Sequence, residues 1–88
     1  MLDKIPNTGV FFFSKTGCKY CVALEEDMLK SGTDFSKYTA TDQSEAEEIK
    51  KVTGQNTFPI LYINKLLVGG YTDYLTLAIT NQFACDDF

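Results

Sequence analysis

Hydrophobic and polar residues follow each other along this chain in two rhythms. Gly9 to Ser14, "GVFFFS", is a short aromatic-rich run ended by turn residues, which predicts a buried strand. From about Lys19 to Lys30 the period lengthens to that of a helix. Cys21, Leu24 and Met28 share one stripe, Val22 and Leu29 lie beside it, and Gly32 follows as a stop. Phe35 to Thr39 alternates weakly as a second strand. Ser44 and Glu47 have capping-box spacing ahead of a second helix, which turns Ala46, Ile49 and Val52 inward and ends at Gly54. "PILYI", Pro59 to Ile63, and "LLV", Leu66 to Val68, flank Asn64-Lys65 and predict a hairpin. Gly69-Gly70 breaks its second strand. A last helix is predicted from about Thr72 to Phe83, with Thr72 as a cap and Leu75, Ala78, Ile79 and Phe83 available to the core.

The order βαβ, helix, hairpin, helix predicts an α/β fold: a mixed four-stranded sheet flanked by helices on both faces. The βαβ unit supplies a parallel pair through a right-handed crossover, and the hairpin supplies antiparallel strands. The 88 residues suffice for one small core, and no linker or repeat divides them, so residues 1–88 are expected to form a single domain. The longest apolar runs, such as Phe58 to Ile63, are about six residues, too short for a membrane helix. The N-terminus lacks the pattern of an export signal, so the cytoplasm is the expected location, and no membrane partner is expected. A net charge of −4 with eight lysines and no arginine argues against nucleic acid as a partner. Lys15 and Lys19, however, bracket Cys18, which makes this cysteine locally positive within an acidic chain.

"SKTGCKYCVAL", residues 14 to 24, holds the candidate chemistry. Cys18 is expected in the first turn of the helix with Cys21 one turn on, a spacing compatible with the Cα separation of about 4.4–6.8 Å that a disulfide needs. The unpaired N–H groups of the helix start, its dipole and the two lysines favour a thiolate at Cys18, which is expected to be the attacking sulfur. Cys21, on the inward stripe, is expected to be the resolving thiol. Zinc would need four ligands, and the chain has no histidine and only one further cysteine, Cys85 near the end. Core filling suits Cys21 alone but not Cys18, which follows Thr16-Gly17 at a loop tip. Redox chemistry is favoured, while filler and a cluster shared between two chains stay open. Cys85 reads as a bystander thiol: its terminal "CDDF" has aspartates where a prenylation box has an aliphatic pair.

Two further segments add to the pair. "NTFPI", residues 56 to 60, suits a cis peptide bond at Phe58-Pro59, although an ordinary proline at a strand start is the commoner case. In "VGGYTD", residues 68 to 73, Gly69-Gly70 allows close backbone approach, and Thr72 and Asp73 fall at a helix start. A strand stop with a helix cap explains most of that segment and leaves room for a ligand.

"SKTGCKYC", "TGQNTFP" and "GGYTD", in this order and at these spacings, resemble a dithiol glutaredoxin of the thioredoxin-fold superfamily, over roughly Gly9 to Phe83. The resemblance implies a glutathione-dependent thiol–disulfide oxidoreductase that acts on protein disulfides and glutathione mixed disulfides. Cys18 would be the nucleophile that forms a mixed disulfide with glutathione, and Cys21 would resolve disulfides in protein substrates. Glutathione, as electron donor and co-substrate, would contact Lys15, Tyr20, Thr57, Phe58, Pro59, Gly70, Thr72 and Asp73. In particular, the Phe58 backbone would pair with its cysteinyl part, Thr72 and Asp73 would hold the γ-glutamyl end, and Lys15 would attract the glycine carboxylate. No metal is expected, the protein is expected to be a monomer, and ribonucleotide reductase is a plausible client among disulfide-containing proteins.

Some positions depart from the family pattern. Lys19 stands where proline or glycine is common. The second helix often supplies glutamine or arginine to the glycine carboxylate, and that place falls near Ala46, with Glu47 beside it; Lys50 and Lys51 are weak substitutes. Rival readings are a redoxin fed directly by thioredoxin reductase, an iron–sulfur carrier bridged between two Cys18 thiolates, and a non-catalytic binding module. The "GGYTD" segment argues against the first.

Overall fold

The computed structural model of the chain describes residues 2–77. After a short 3₁₀ turn, Leu2–Lys4, the elements are β1 (Val10–Lys15), α1 (Lys19–Lys30), β2 (Phe35–Ala40), α2 (Gln43–Thr53), β3 (Ile60–Ile63) and β4 (Leu66–Gly69). A final helix, α3, covers residues 71–77 of the described chain. The four strands form one sheet in the order β2-β1-β3-β4. β1 runs parallel to β2 and antiparallel to β3, and β3 and β4 are antiparallel, so the sheet is mixed as expected.

β1 occupies the interior of the sheet and is buried on both faces. Phe11, Phe12, Phe13 and Ser14 are all at most 6% exposed, and successive side chains of a strand point to opposite sides. Both faces must therefore be covered. Phe11 and Phe13 meet edge to face at 5.0 Å, and Phe13 also meets Tyr38 and Tyr62 edge to face, at 6.4 and 6.2 Å. This is the face that α2 approaches, since the Tyr38 hydroxyl donates to Glu45 Oε2 at 2.9 Å. On the opposite face Phe12 meets Phe35 at 5.7 Å, and Val10, Leu61 and Ile63 share a cavity wall with Met28 of α1 and Tyr74 and Leu77 of α3.

The helices begin and end where local chemistry dictates. The buried stripe of α1 is Cys21, Leu24 and Met28, as its period predicts, while Val22 and Leu29 flank it in solvent, 56% and 64% exposed. Its C-terminus closes as a Schellman motif: Thr33 N–H donates to Met28 O at 2.9 Å and Gly32 N–H to Leu29 O at 3.3 Å. Gly32 takes the left-handed φ of 73° that this motif requires. α2 starts two residues before the capping box expected at Ser44 and Glu47. Its N-cap is Asp42, whose Oδ1 accepts the Glu45 N–H at 2.8 Å, and Glu45 Oε1 returns to the Thr41 N–H at 3.0 Å. Both pairs have the right spacing, but only the earlier one starts the helix directly after β2 ends at Ala40. α2 buries Ala46 and Ile49; Val52, expected inward, is 40% exposed. Asn64 and Lys65 both adopt positive φ, 52° and 65°, as a two-residue hairpin turn requires. The expected core contribution of Leu75 is not made, because this residue is 37% exposed; Tyr71 and Tyr74 pack against the core instead. The expectations for Ala78, Ile79, Phe83 and Cys85 lie outside the described residues.

Asp42→Ala removes the side-chain acceptor at the start of α2 and is expected to lower stability by about 1 kcal/mol in urea unfolding. Ser44→Ala, in the exposed first turn, is expected to stay within about 0.5 kcal/mol. Equal losses would overturn the assignment of the cap.

Candidate active site

β1 ends at Lys15, and a turn through Thr16 and Gly17 (φ 78°) passes the chain to α1. Cys18 N–H donates to Lys15 O at 3.4 Å and closes this turn. Cys18 is the N-cap of α1, one residue before its first turn, with extended backbone (φ −88°, ψ 108°). Its Sγ accepts the Cys21 N–H at 3.2 Å, the role that a serine or aspartate oxygen usually fills at a helix start. One of the four unpaired N–H groups of α1 is thus aimed at the sulfur. The Cys18 thiol in turn donates to Phe58 O at 3.6 Å, and the Phe58-Pro59 peptide bond is cis, as the sequence suggested.

The two cysteines occupy different environments. Cys18 is partly exposed, whereas Cys21 is only 3% exposed. Burial, then the hydrogen bond with Cys18, pushes the Cys21 thiol up to about 11, while hydrogen bonds from the Ser14 side chain and the Lys15 backbone pull the other way. Cys21 is therefore a neutral thiol near pH 7, held beneath the exposed sulfur of Cys18.

Beside Cys18 lies an open groove of about 360 Å³. Tyr20 of α1 forms one wall, Gln55, Thr57 and Phe58 another, and residues 70 to 73 the third. Gly70 O accepts the Tyr74 N–H at 3.0 Å, so Gly70 rather than Thr72 caps α3, and Thr72 falls inside the first turn. Asp73 folds back so that Oδ2 accepts the Gly70 N–H at 3.0 Å. Gly69, with φ 127°, lets the carboxylate lie there: a Cβ on Gly69 would collide with Asp73 Oδ2. The Tyr20 and Tyr71 rings lie 5.9 Å apart, and Lys19 Nζ stands 5.2 Å over Tyr20. The Tyr71 hydroxyl donates to Asp27 Oδ2 at 2.8 Å, which ties α3 to α1 and holds the phenol above its ordinary range.

Of the residues expected from sequence, Tyr20, Thr57, Phe58, Gly70, Thr72 and Asp73 converge on this groove, and Pro59 is buried just ahead of β3. Lys15 does not line it. It lines the cavities on the far side of Cys18, although Nζ stands 5.8 Å over the Phe58 ring. Gln55 and Tyr71, which do line the groove, escaped the sequence reading although both lie within its quoted segments. Ser14 escaped too, because one serine at the end of an apolar run looks like a strand terminator. Ala46 is 3% exposed and shares a cavity of about 190 Å³ with Lys15, Thr41 and Gln43, so no polar side chain reaches out from its position. Lys50 is engaged with Glu47 at 3.7 Å. Among the described residues, no three of His, Cys, Asp or Glu converge as a metal-ligand set.

The raised Cys21 thiol has a direct chemical readout. Its alkylation in the reduced protein, mapped by peptide mass, is expected to rise about tenfold per pH unit toward pH 11, because only the thiolate reacts. A plateau below pH 9 would contradict the burial argument.

The glutaredoxin family pattern matches residues 10–68 of the chain. Glutaredoxin-2, mitochondrial, of Bos taurus is 31% identical over 85 residues, which take in 81% of this chain and 48% of that protein. The chain thus spans about half the length of the Glutaredoxin-2 relatives it matches. Glutaredoxin-1 of Mus musculus is 30% identical over 86 residues, covering 90% of this chain and 80% of that one. The solution structure of the dithiolic glutaredoxin of Trypanosoma brucei brucei superposes with a TM-score of 0.74 at 27% identity, over 91% of this chain and 87% of the other. With its paired cysteines at the start of α1, the cis proline ahead of β3 and the Gly-Gly turn into α3, this chain belongs to the glutaredoxin family.

Proposed function

We propose that this single domain, residues 1–88, is a glutathione-dependent thiol–disulfide oxidoreductase with Cys18 as nucleophile and Cys21 as resolving thiol. The observation that carries the reading is the position of Cys18 Sγ. It is partly exposed, it receives a helix N–H, and it lies against the Phe58 carbonyl at the edge of the groove.

The Cys18 thiolate attacks one sulfur of a disulfide; the old S–S bond breaks, and its electron pair leaves with the second sulfur as a thiolate. With a glutathionylated client, the released group is the client thiol and glutathione stays on Cys18. A second glutathione then attacks the glutathionyl sulfur, which regenerates Cys18 and yields glutathione disulfide. With a protein disulfide, Cys21 attacks Cys18 Sγ, expels the client's second thiolate and leaves a Cys18–Cys21 disulfide for two glutathiones to reduce. A glutathionylated client thus consumes one reduced glutathione, the other half of the glutathione disulfide coming from the client itself, whereas a protein disulfide consumes two; no metal is required.

In the groove, the Phe58 backbone pairs with the cysteinyl unit of glutathione, with Thr57 beside it and Pro59 fixing the approach. Thr72 and Asp73 hold the γ-glutamyl end, the Asp73 carboxylate opposite the ammonium, with Gly70 below. Tyr20 covers one side. Lys15 supplies long-range attraction for the glycine carboxylate rather than a wall of the groove. Clients are disulfide-bearing proteins, ribonucleotide reductase being one of suitable chemistry. The cytoplasm is a compartment reducing enough to keep such a pair as thiols; the name of the bovine relative assigns that protein to mitochondria.

Cys21→Ser protein incubated with glutathione disulfide is expected to gain one glutathione on Cys18, located by digestion and removed by reduced glutathione. No adduct on Cys18 in a folded sample would sink the glutathione reading and favour direct coupling to thioredoxin reductase. Ala46→Gln, which places an amide at the cavity beside Lys15, is expected to lower the KM for glutathione by about tenfold, the worth of one hydrogen bond to a carboxylate. An unchanged KM would mean that the glycine carboxylate is held elsewhere.

A further inference from the structure

The glutathione groove lies on one side of the cysteine pair. On the other is a second, smaller cavity of about 160 Å³, which both cysteines line. Its remaining wall includes Ser14 at the end of β1, Lys37 and Thr39 of β2, and Glu25, one turn of α1 beyond Cys21. Ser14 is 6% exposed, the buried polar residue among the described residues; it shares this cavity wall with Cys21, and its hydroxyl draws the Cys21 thiol down against the effect of burial. Burying a hydroxyl costs free energy unless a partner compensates, and an alanine or valine would serve better if packing were the only demand. At the cavity mouth Lys37 and Glu25 form an ion pair and remain partly exposed, 42% and 31%.

We propose that Ser14 is a catalytic residue of the second, resolving step, its hydroxyl donating to the Cys21 sulfur as that sulfur becomes a thiolate and attacks Cys18. The inference rests on the roles proposed above for the two cysteines. Cys21 loses its proton to water at the cavity mouth and its sulfur pair forms the Cys18–Cys21 bond. The bond between Cys18 and the client breaks, and the client sulfur leaves with the electron pair as a thiolate, which solvent protonates. The client is reduced and the cysteine pair is oxidised, with no further reagent.

Of the polar side chains around this cavity, Ser14 carries the buried hydroxyl. The charged and titratable groups that line the cavity with Cys21 are Cys18 and Glu25 from α1, Lys15 from β1 and Lys37 from β2. Glu25 and Lys37 offset each other as a pair, and Cys18 in the mixed disulfide carries no charge. Lys15 Nζ stands over the Phe58 ring, so the nascent thiolate, removed from solvent, has the Ser14 hydroxyl as the buried side-chain donor within its cavity. Such a donor acts on a charge that develops only in the reaction, which is how a fixed dipole lowers a barrier.

A chromogenic nitrobenzoate disulfide separates the two steps, since Cys18 attack releases one coloured thiolate and Cys21 attack on the resulting mixed disulfide releases a second. In a Cys85→Ser background, Ser14→Ala is expected to leave the first phase within about twofold and to slow the second about tenfold at pH 7, the loss expected for one hydrogen bond to a charged group. The gap is expected to narrow as pH approaches the titration of Cys21. Ser14→Thr, which keeps the hydroxyl, is expected to retain the second-phase rate within about threefold. A second phase unchanged in Ser14→Ala, slowed equally with the first, or lost equally in Ser14→Thr would overturn the proposal. A missing first phase in the unsubstituted pair would instead overturn the assignment of Cys18.

Discussion

Everything in this molecule hangs on β1 being buried on both faces. Four consecutive side chains, Phe11 to Ser14, leave water, so helices must cover each side of the sheet and strands must pair along each edge of β1. Phe11, Phe12 and Phe13 each remove apolar area worth about 1.5–3 kcal/mol from water, which makes this strand the least negotiable part of the fold. Its C-terminal end is consequently a rigid point of delivery. Lys15 closes the strand, Thr16 and Gly17 turn, and Cys18 is set down at the start of α1. The catalytic candidate owes its position to packing several residues upstream.

From that point the sulfur replaces a capping oxygen. A serine at the same N-cap would satisfy the helix equally well; a sulfur that accepts the Cys21 N–H does so and gains a donor that suits a thiolate. The same atom contacts Phe58 O, so the start of α1 and the approach to β3 meet at one atom. Cys21, one turn further, is drawn into the apolar interior by the stripe that carries Leu24 and Met28. One helix thereby gives two identical thiols opposite characters, exposed and capped against buried and protonated.

The groove is built by a different device. Gly69 allows Asp73 to fold back on Gly70, and the Tyr71–Asp27 hydrogen bond locks α3 against α1. Asp73 serves the backbone of its own helix while its carboxylate stays exposed at the groove, so the structural and the proposed binding roles share one side chain. The cavity on the opposite side of the pair, with Ser14 and the Glu25–Lys37 pair, makes the site two-sided: the proposed substrate groove opens on one side, and the cavity that both cysteines line lies on the other.

Periodicity, punctuation and cysteine spacing were legible in the chain from the start. The triple phenylalanine names the central strand, Gly32 and Gly54 mark the two helix ends, and Cys18, Cys21, Phe58-Pro59 and Asp73 stand in segments short enough to be recognised together. These are local properties, set by sterics and by spacing along one element. What the chain could not announce depends on contacts between elements distant in sequence. Two equally spaced capping pairs, Asp42/Glu45 and Ser44/Glu47, compete, and the end of β2 decides between them. Val22, Leu29 and Val52 are as apolar as their buried neighbours, yet no facing element among the described residues covers them. Gln55 and Tyr71 become groove walls, Lys15 becomes a wall of the cavities beyond Cys18, and Ser14 comes to share a cavity with Cys21 only when the sheet and helices close. Burial and hydrogen-bond partners belong to the packed chain, because a side chain's surroundings are set by which surfaces meet, and only the tertiary structure brings those surfaces together.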